Sequence, residues 1–228
     1  MLEFFIKTFS HLLLFYYITI SIAYTLLITN GTLQSSLKHI IRELKYSVIS
    51  LFLFSVIATI LYETKLLSYT TLYYNISDHG WLYYFGIIPI IFLIYDLYFY
   101  LTHVIMHHKR LFNIFHLTHH KSKEISPLTA LSMDPLEAII NHGALLLLFF
   151  LFPIHTSHVY LWVVVTITYT IYLHLGTEVF PKKLLQTKLG RLIYTTTAHS
   201  EHHLKFKGNY GFYTLIWDKL FKTEKKLG

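Results

Sequence analysis

Residues 81–108 read WLYYFGIIPIIFLIYDLYFYLTHVIMHH. The segment Trp81–Tyr100 carries a single acid, Asp96, and has aromatic residues at both ends, where they can anchor a helix at the two membrane interfaces. It is long enough to cross a bilayer as a helix. The histidines that follow extend the same helix out of the membrane, so this stretch predicts histidine-rich structure directly beside the lipid surface.

The composition of the whole chain is that of an integral membrane protein. Of its 228 residues, 54% are hydrophobic and 14% are charged, whereas about a quarter of the residues in a soluble domain are charged. Leu12–Ile28 and Tyr46–Tyr62 are two further charge-free stretches of span length. We expect the first to be retained, because Met1–Ser10 leads to no small-residue cleavage site. The prediction is an all-α, multi-pass helical bundle.

A fourth apolar stretch, Gly143–Leu173, is too long for one ordinary span and is interrupted near its middle by Pro153, His155 and His158. Proline breaks helices and polar groups avoid lipid, so we predict a short re-entrant helical hairpin over residues 143–173 that returns to the face it entered from. A single long, kinked span is the alternative. The bundle would then contain three spans and this hairpin.

The basic residues predict which side of the membrane holds the polar segments. The chain has 19 Lys and Arg against 12 Asp and Glu, and 17 of the 19 lie in residues 30–45, 101–142 and 176–228. If those segments share one side, the positive-inside rule makes that side cytosolic. The excess of positive charge is then explained by topology and contact with anionic lipid. No nucleic-acid partner is needed.

Two short motifs bear on localisation. The chain ends Lys225-Lys226-Leu227-Gly228, which resembles a dilysine signal for the endoplasmic reticulum. We expect residence there if the source is eukaryotic and in the inner membrane if it is bacterial. Of two glycosylation acceptors, Asn75-Ile-Ser77 is predicted to lie outside the cytosol and Asn30-Gly-Thr32 inside it.

Nine of the sixteen histidines fall in three windows: HVIMHH at 103–108, HLTHH at 116–120 and HSEHH at 199–203. Residues spaced i, i+3 and i+4 share a helix face, so each window points several imidazoles in one direction. Clustered imidazoles repel one another on protonation, whereas a bound metal gives the clustering a reason. Nine or ten ligands suit two metals with four or five nitrogens each. We therefore predict that residues 1–100 form the N-terminal transmembrane helices and that residues 101–228, which include the hairpin 143–173, form the histidine-box region as one functional unit. Its histidine-rich helices would form a cytosolic cap that holds a dinuclear metal site.

The number and type of the ligands indicate which metal the site binds. Imidazole binds zinc, copper, iron and nickel, but structural zinc normally closes with four ligands, so two nitrogen-rich sites favour two iron ions, with zinc as a substitute. The chain has no cysteine that could act as a ligand. His174 follows the hairpin and can return to the cluster. Asp96, two helical turns before His103, and Glu178, four residues after His174, are expected to orient imidazoles from outside the ligand set. For Asp96, helix pairing is the alternative.

These residues form a known pattern. In order, the motif contains Asp96, HVIMHH, HLTHH with Lys121 and Ser122, Pro127, Ala130, Pro135 with Glu137, His174, HSEHH, Asn209-Tyr210-Gly211, Trp217-Asp218 and Leu220-Phe221. From Phe92 to Thr223 the chain resembles the fatty acid hydroxylase and sterol desaturase superfamily. It departs from the pattern at Asp134, where many relatives have histidine.

The resemblance implies a membrane-bound, non-haem di-iron oxidase that hydroxylates or desaturates a lipid, of sterol or of fatty-acyl or sphingolipid type, with O2 as co-substrate. It makes metal ligands of His103, His107, His116, His119, His120, His174, His199, His202 and His203, with His108 a tenth candidate. Electrons must come from an external donor such as cytochrome b5 or a ferredoxin with its reductase, since the chain has no dinucleotide fingerprint or haem domain.

Two other classes of protein compete with an oxidase. A histidine-rich membrane metal transporter would place its ligands near the bilayer midplane, inside the spans. A zinc-dependent membrane hydrolase would need fewer ligands and one open position for water. The histidine windows lie after the spans and supply more ligands than a hydrolase uses, which favours the oxidase.

Overall fold

The computed structural model describes residues 1–29, 37–123 and 125–225. The Asn30-Gly-Thr32 acceptor and Lys226–Gly228, the last three residues of the predicted retention signal, lie outside the described residues. Over the described residues the fold is helical, as predicted. Its helices are α1 (Leu2–Thr29), α2 (Leu37–Glu63), α3 (Gly80–Met106), α4 (Phe112–Phe115), α5 (Leu117–His120), α6 (Pro135–Leu151), α7 (Thr156–Leu173), α8 (Lys182–Leu185), α9 (Thr196–Lys205) and α10 (Ile216–Leu220).

Four of these helices, α1, α2, α3 and α7, are long and apolar enough to cross a membrane. The first three contain the three predicted spans and extend beyond them at their ends. The apolar helix α6 is shorter, with 17 residues. Several large apolar side chains on α1, such as Leu14, Ile18 and Ile22, are exposed on the protein surface, as expected of residues that face lipid.

The predicted hairpin is present as α6 and α7, which are separated by a break at Phe152–His155. Pro153 lies in the break, where its missing amide proton costs no helical hydrogen bond. The hairpin begins at Pro135 rather than at residue 143, because proline is tolerated in the first turn of a helix. It is therefore a pair of separate helices and not one kinked span.

The turn of the hairpin contacts the loop that joins α2 to α3. Two short strands, β1 (Leu72–Tyr73) and β2 (Ile154–His155), pair in parallel there. The Tyr83 hydroxyl also donates a hydrogen bond to the Pro153 carbonyl at 3.0 Å. The hairpin thus reaches as far as the α2–α3 loop and is deeper than expected from its interrupted sequence. The opposite end of α3, after Met106, carries the histidines.

Helix α2 carries a buried polar face made of Glu43, Ser47 and Ser50. Ser47 and Ser50 donate hydrogen bonds to carbonyls of the 3₁₀ helix Pro127–Leu131, at 3.1 and 2.9 Å. Glu43 accepts a hydrogen bond from the Thr129 hydroxyl at 2.9 Å. Buried polar groups need such partners, so α2 secures the segment that leads from α5 to α6.

Candidate metal centre

The structure gathers nine histidines into two adjacent groups. We call them the five-histidine group (His103, His107, His116, His120 and His202) and the four-histidine group (His119, His174, His199 and His203). Within each group the nitrogen atoms that could bind a metal lie within 4.8 Å of one another. Eight of the nine side chains are buried and His107 is half-buried. Sequence reasoning named all nine.

The paired histidines explain how one helix serves both groups. His119 and His120 are consecutive, and they point into different groups, as do His202 and His203. Residues four apart enter the same group, such as His199 with His203, because they share a helix face. The rings of His120 and His203 lie 4.7 Å apart between their centroids, so the two groups are direct neighbours.

Backbone carbonyls orient four of the imidazoles through Nδ1. The pairs are His103 with Tyr210 (2.9 Å), His119 with Ser132 (3.2 Å), His174 with Thr170 (2.7 Å) and His202 with Gly208 (2.8 Å). A carbonyl only accepts hydrogen bonds, so each Nδ1 carries the proton. Each Nε2 is therefore left with its lone pair directed into the group, which is the form that binds a metal.

The loop after α9 supplies two of these carbonyls. Phe206 and Asn209 adopt left-handed backbone conformations there, with φ of 59° and 54°. The Asp218 carboxylate accepts hydrogen bonds from the amides of Tyr210 and Gly211, both at 2.8 Å. The loop is thereby held in a shape that aims its carbonyls at the five-histidine group.

The arrangement of Nε2 atoms fits metal ions. The Nε2 atoms of His107, His120 and His202 lie 3.1 Å from one another. In the four-histidine group the Nε2 of His203 lies 3.1 Å from those of His119 and His199. Lone pairs that face each other at such distances repel, and a cation between them removes the repulsion. Both donor sets, all nitrogen, therefore suit a transition metal.

Burial keeps these imidazoles neutral at pH 7. Loss of solvent lowers the pKa of His107 and His119 to about 4, and that of His174 to about 3. For His199 and His203 burial also lowers the pKa, and neighbouring imidazoles add to the effect. Metal ligation requires the neutral form, so the groups are ready to bind a cation without first losing protons.

One acidic side chain that sequence reasoning did not select contacts a histidine of the centre. Glu137, near the start of α6, is 3% exposed and its carboxylate lies 2.8 Å from Nδ1 of His116. An acidic side chain in this position restricts the orientation of the ring. The available signal was that Glu137 is the only acidic residue of α6.

Asp96 and Glu178, the two carboxylates that were expected to orient imidazoles, contact other side chains instead. Asp96 accepts hydrogen bonds from Thr214 Oγ1 (2.6 Å) and Trp217 Nε1 (3.1 Å), which ties α3 to the C-terminal segment. Glu178 accepts from the hydroxyls of Tyr172 and Thr197. Neither contacts an imidazole among the described residues, which corrects the expectation. Helical spacing gave no information on side chains from other segments, and α7 ends at Leu173, so Glu178 does not share a helix with His174.

The contacts of His108 and Asp134 show that neither side chain belongs to the histidine groups. His108 is exposed and its Nδ1 accepts a hydrogen bond from the Arg110 amide, so the structure does not bring it into either group. Helix α3 ends at Met106, and His107 alone keeps the spacing of four from His103. Asp134 accepts hydrogen bonds from the amide and hydroxyl of Thr118, at 2.8 and 2.6 Å. It therefore holds the start of α5 and does not enter the groups.

Aromatic rings cover the five-histidine group at the end of the bundle. Phe112 lies 5.3 Å from His107 and 5.5 Å from His120 between ring centroids. Phe206 lies 4.8 Å from His120. Tyr210 lies against His107 at 5.1 Å. These rings limit the access of water to the group from that end.

Comparison with known proteins agrees with this geometry. Residues 88–223, more than half of the chain, match the family model described as Fatty acid hydroxylase. The chain belongs to the fatty acid hydroxylase family. The matched region contains all nine grouped histidines and begins and ends within four residues of the region of resemblance predicted above.

Among curated proteins, this family member is similar to lathosterol oxidase of Mus musculus, with 28% identity over 78% of this chain and 59% of the relative. Methylsterol monooxygenase 1 of Gallus gallus is 28% identical over 59% of this chain and 44% of its own length. The Delta(7)-sterol-C5(6)-desaturase of Nicotiana tabacum is 29% identical over 68% of this chain and 55% of its own length. The chain thus spans about half the length of these relatives. No solved structure matches it.

Proposed function

We propose that this chain is a membrane-bound di-iron oxidoreductase that uses O2 to hydroxylate or desaturate a lipid, and that the lipid is a sterol. The observation that carries the proposal is the convergence of nine neutral imidazoles into two adjacent groups in an apolar helical protein. The names of the three relatives each specify a sterol. A fatty-acyl or sphingolipid substrate remains the alternative within the same chemistry.

In this proposal the five-histidine and four-histidine groups each hold one iron ion, and zinc is a possible substitute. A ferrous pair supplies electrons to O2 and so permits attack on an unactivated C–H bond, which no side chain can perform alone. The protein's own residues orient the imidazoles and shield the metal site from water. The carbonyls of Gly208 and Tyr210, with the Glu137 carboxylate, hold imidazole orientations, and Phe112 and Phe206 restrict water.

The position of the histidines in the fold supports an oxidase over the two alternatives. They lie where α3 and α7 end, beside the short helices α5 and α9, rather than midway along the spans as in a transporter. The smaller group offers four imidazole nitrogens within 4.8 Å of one another, whereas a zinc hydrolase uses three protein ligands and keeps a position open for water. A site at the bundle end also suits a lipid whose head stays at the interface.

The remaining elements of the proposal concern location and electron supply. We place the histidine-bearing end in the cytosol on the basis of the 17 basic residues predicted for that side. The membrane would be the endoplasmic reticulum in a eukaryote and the inner membrane in a bacterium. An external donor, cytochrome b5 or a ferredoxin with its reductase, would provide the electrons.

The experiment that tests the function uses the full chain in lipid nanodiscs. The purified protein is analysed for iron and zinc, loaded with ferrous iron, and supplied with a chemical reductant, ¹⁸O2 and a panel of sterols with and without a 4-methyl group or a Δ7 double bond. Hydroxylation adds one ¹⁸O to the product, and desaturation removes two hydrogens without adding oxygen. A second panel contains fatty acyl lipids and sphingolipids. If iron-loaded protein oxidises only lipids of the second panel, the sterol assignment is wrong, and if it consumes no O2 with either panel, the oxidase proposal is wrong.

A further inference from the structure

Two aromatic side chains that pack edge to face lie between the five-histidine group and the protein surface. Phe112 and Phe206 are both half-buried, and their ring centroids lie 5.8 Å apart. Each also lies against the ring of His120, at 5.5 and 4.8 Å. His107, the half-buried member of the group, lies 5.3 Å from Phe112. The four-histidine group, in contrast, is buried throughout. This aromatic pair therefore connects His107 and His120 of the five-histidine group to the surface.

Exposed positive charges flank the aromatic pair. Lys109 and Arg110 precede Phe112 by three and two residues, and Lys205 and Lys207 stand on either side of Phe206. All four are exposed. Glu201 pairs with Lys205. Lys109, Arg110 and Lys207 have no ion-pair partner within the described ranges, so an unneutralised positive rim surrounds the two rings.

The proposed oxidation needs a partner protein that delivers electrons at a surface close to the histidines. Hydroxylation consumes a C–H bond, O2, two electrons and two protons, and yields an alcohol and water. Desaturation consumes two C–H bonds with the same O2, electrons and protons, and yields an alkene and two waters. The electrons come from outside the chain in both cases, and a one-electron carrier must dock twice per turnover, being oxidised once at each encounter.

We propose that the rim formed by Lys109, Arg110, Lys205 and Lys207 around Phe112 and Phe206 is the docking surface for an acidic one-electron carrier protein. This inference rests on the proposed oxidase function. Opposite charge steers a transient partner to the surface without requiring a large apolar interface. The carrier's redox group would then stand over the aromatic pair, next to His107 and His120.

The test measures binding separately from activity. The probe is the soluble haem domain of cytochrome b5, an acidic carrier, titrated against the full chain in nanodiscs of neutral lipid. The variant is the triple charge reversal Lys109→Glu, Arg110→Glu, Lys207→Glu. The matched control is Lys182→Glu, Lys183→Glu, Lys188→Glu, which changes the net charge equally at exposed residues that flank neither phenylalanine.

We expect the rim variant to raise the Kd for the haem domain at least about tenfold and to lose most of its salt dependence, while the control stays within about twofold of the native chain. Reoxidation of the reduced haem domain by the iron-loaded rim variant should slow in parallel. The rate at which dithionite reduces the iron of the rim variant should equal that of the native chain, because this small reductant needs no docking surface.

Three outcomes would overturn the inference. The rim variant could bind as tightly as the native chain, or the control could lose as much affinity as the rim variant. A loss of binding seen only in nanodiscs with anionic lipid would show that the rim holds lipid headgroups instead. Because binding is read without substrate, a failure of docking is distinct from a failure to oxidise any lipid.

Discussion

Removing the carboxylate of Glu137 should weaken metal binding by the five-histidine group. This carboxylate lies 2.8 Å from Nδ1 of His116, and both side chains are almost fully buried. Glu137→Ala removes the acidic group that lies against the buried Nδ1 of His116 and leaves the ring free to rotate. The Nε2 of His116, which lies 3.0 Å from that of His103, then loses its fixed direction.

The size of the effect follows from leaving this buried ring nitrogen without its neighbouring acidic group. A buried polar group left without its partner costs about 1–3 kcal/mol. At about 1.4 kcal/mol per factor of ten this is roughly a 5- to 150-fold change in an equilibrium constant. Loss of an outer partner of a metal-bound histidine typically costs about 10- to 100-fold in affinity or activity. We expect Glu137→Ala to fall in this range and Glu137→Gln, which keeps an acceptor oxygen, to lose less.

The assay is competition for Co²⁺ between the protein and a chromophoric chelator, with metal content measured by mass spectrometry. Glu178→Ala is the matched control, since this acid contacts Tyr172 and Thr197 and no imidazole among the described residues. It should bind Co²⁺ within about twofold of the native chain. The reasoning is refuted if Glu137→Ala also binds within twofold, or if Glu178→Ala loses as much affinity as Glu137→Ala.

Three further predictions test the groups, their protonation and the topology. His202→Ala and His119→Ala, which each remove one imidazole from a different group, should each abolish activity and lose about one of two metals while still inserting in the membrane; full occupancy in either variant would exclude that residue as a ligand. Burial lowers the pKa of His107 to about 4 from its ordinary value of 6.5. Below pH 6.5 the unfolded chain therefore binds a proton at this imidazole more readily than the metal-free folded protein does, and acid favours unfolding. The thermal midpoint of the metal-free protein in detergent should be highest above pH 6.5 and fall as the pH drops towards 4, and a flat profile would contradict this. Because the chain has no cysteine, Ser77→Cys and Lys183→Cys provide single labelling sites, and an impermeant maleimide should reach only one of them in sealed vesicles; labelling of both from one side would refute the topology.

The ligand set could be predicted from the sequence because it depends on local spacing. His199 and His203 share a face wherever their helix lies, and consecutive histidines must point apart. The acceptors for Nδ1 could not be predicted in this way. Every residue has a carbonyl, and those of Gly208 and Tyr210 face the group only because the loop after α9 folds back onto it. Glu137 was missed for the same reason, since α6 is distant in sequence from the end of α3.

The role of α2 was also hidden from sequence reasoning. Residues 46–62 predict an ordinary span, and nothing in them indicates that the serines of α2 have specific partners. In the fold, Ser50 holds the Leu131 carbonyl at 2.9 Å, and the next carbonyl along the chain, that of Ser132, accepts the hydrogen bond from His119. A transmembrane helix far from the histidine windows therefore helps to fix the orientation of an imidazole in the four-histidine group. The N-terminal helices are part of the frame of the centre as well as its membrane anchor, because the segment between α5 and α6 has no regular partner other than the helices packed around it.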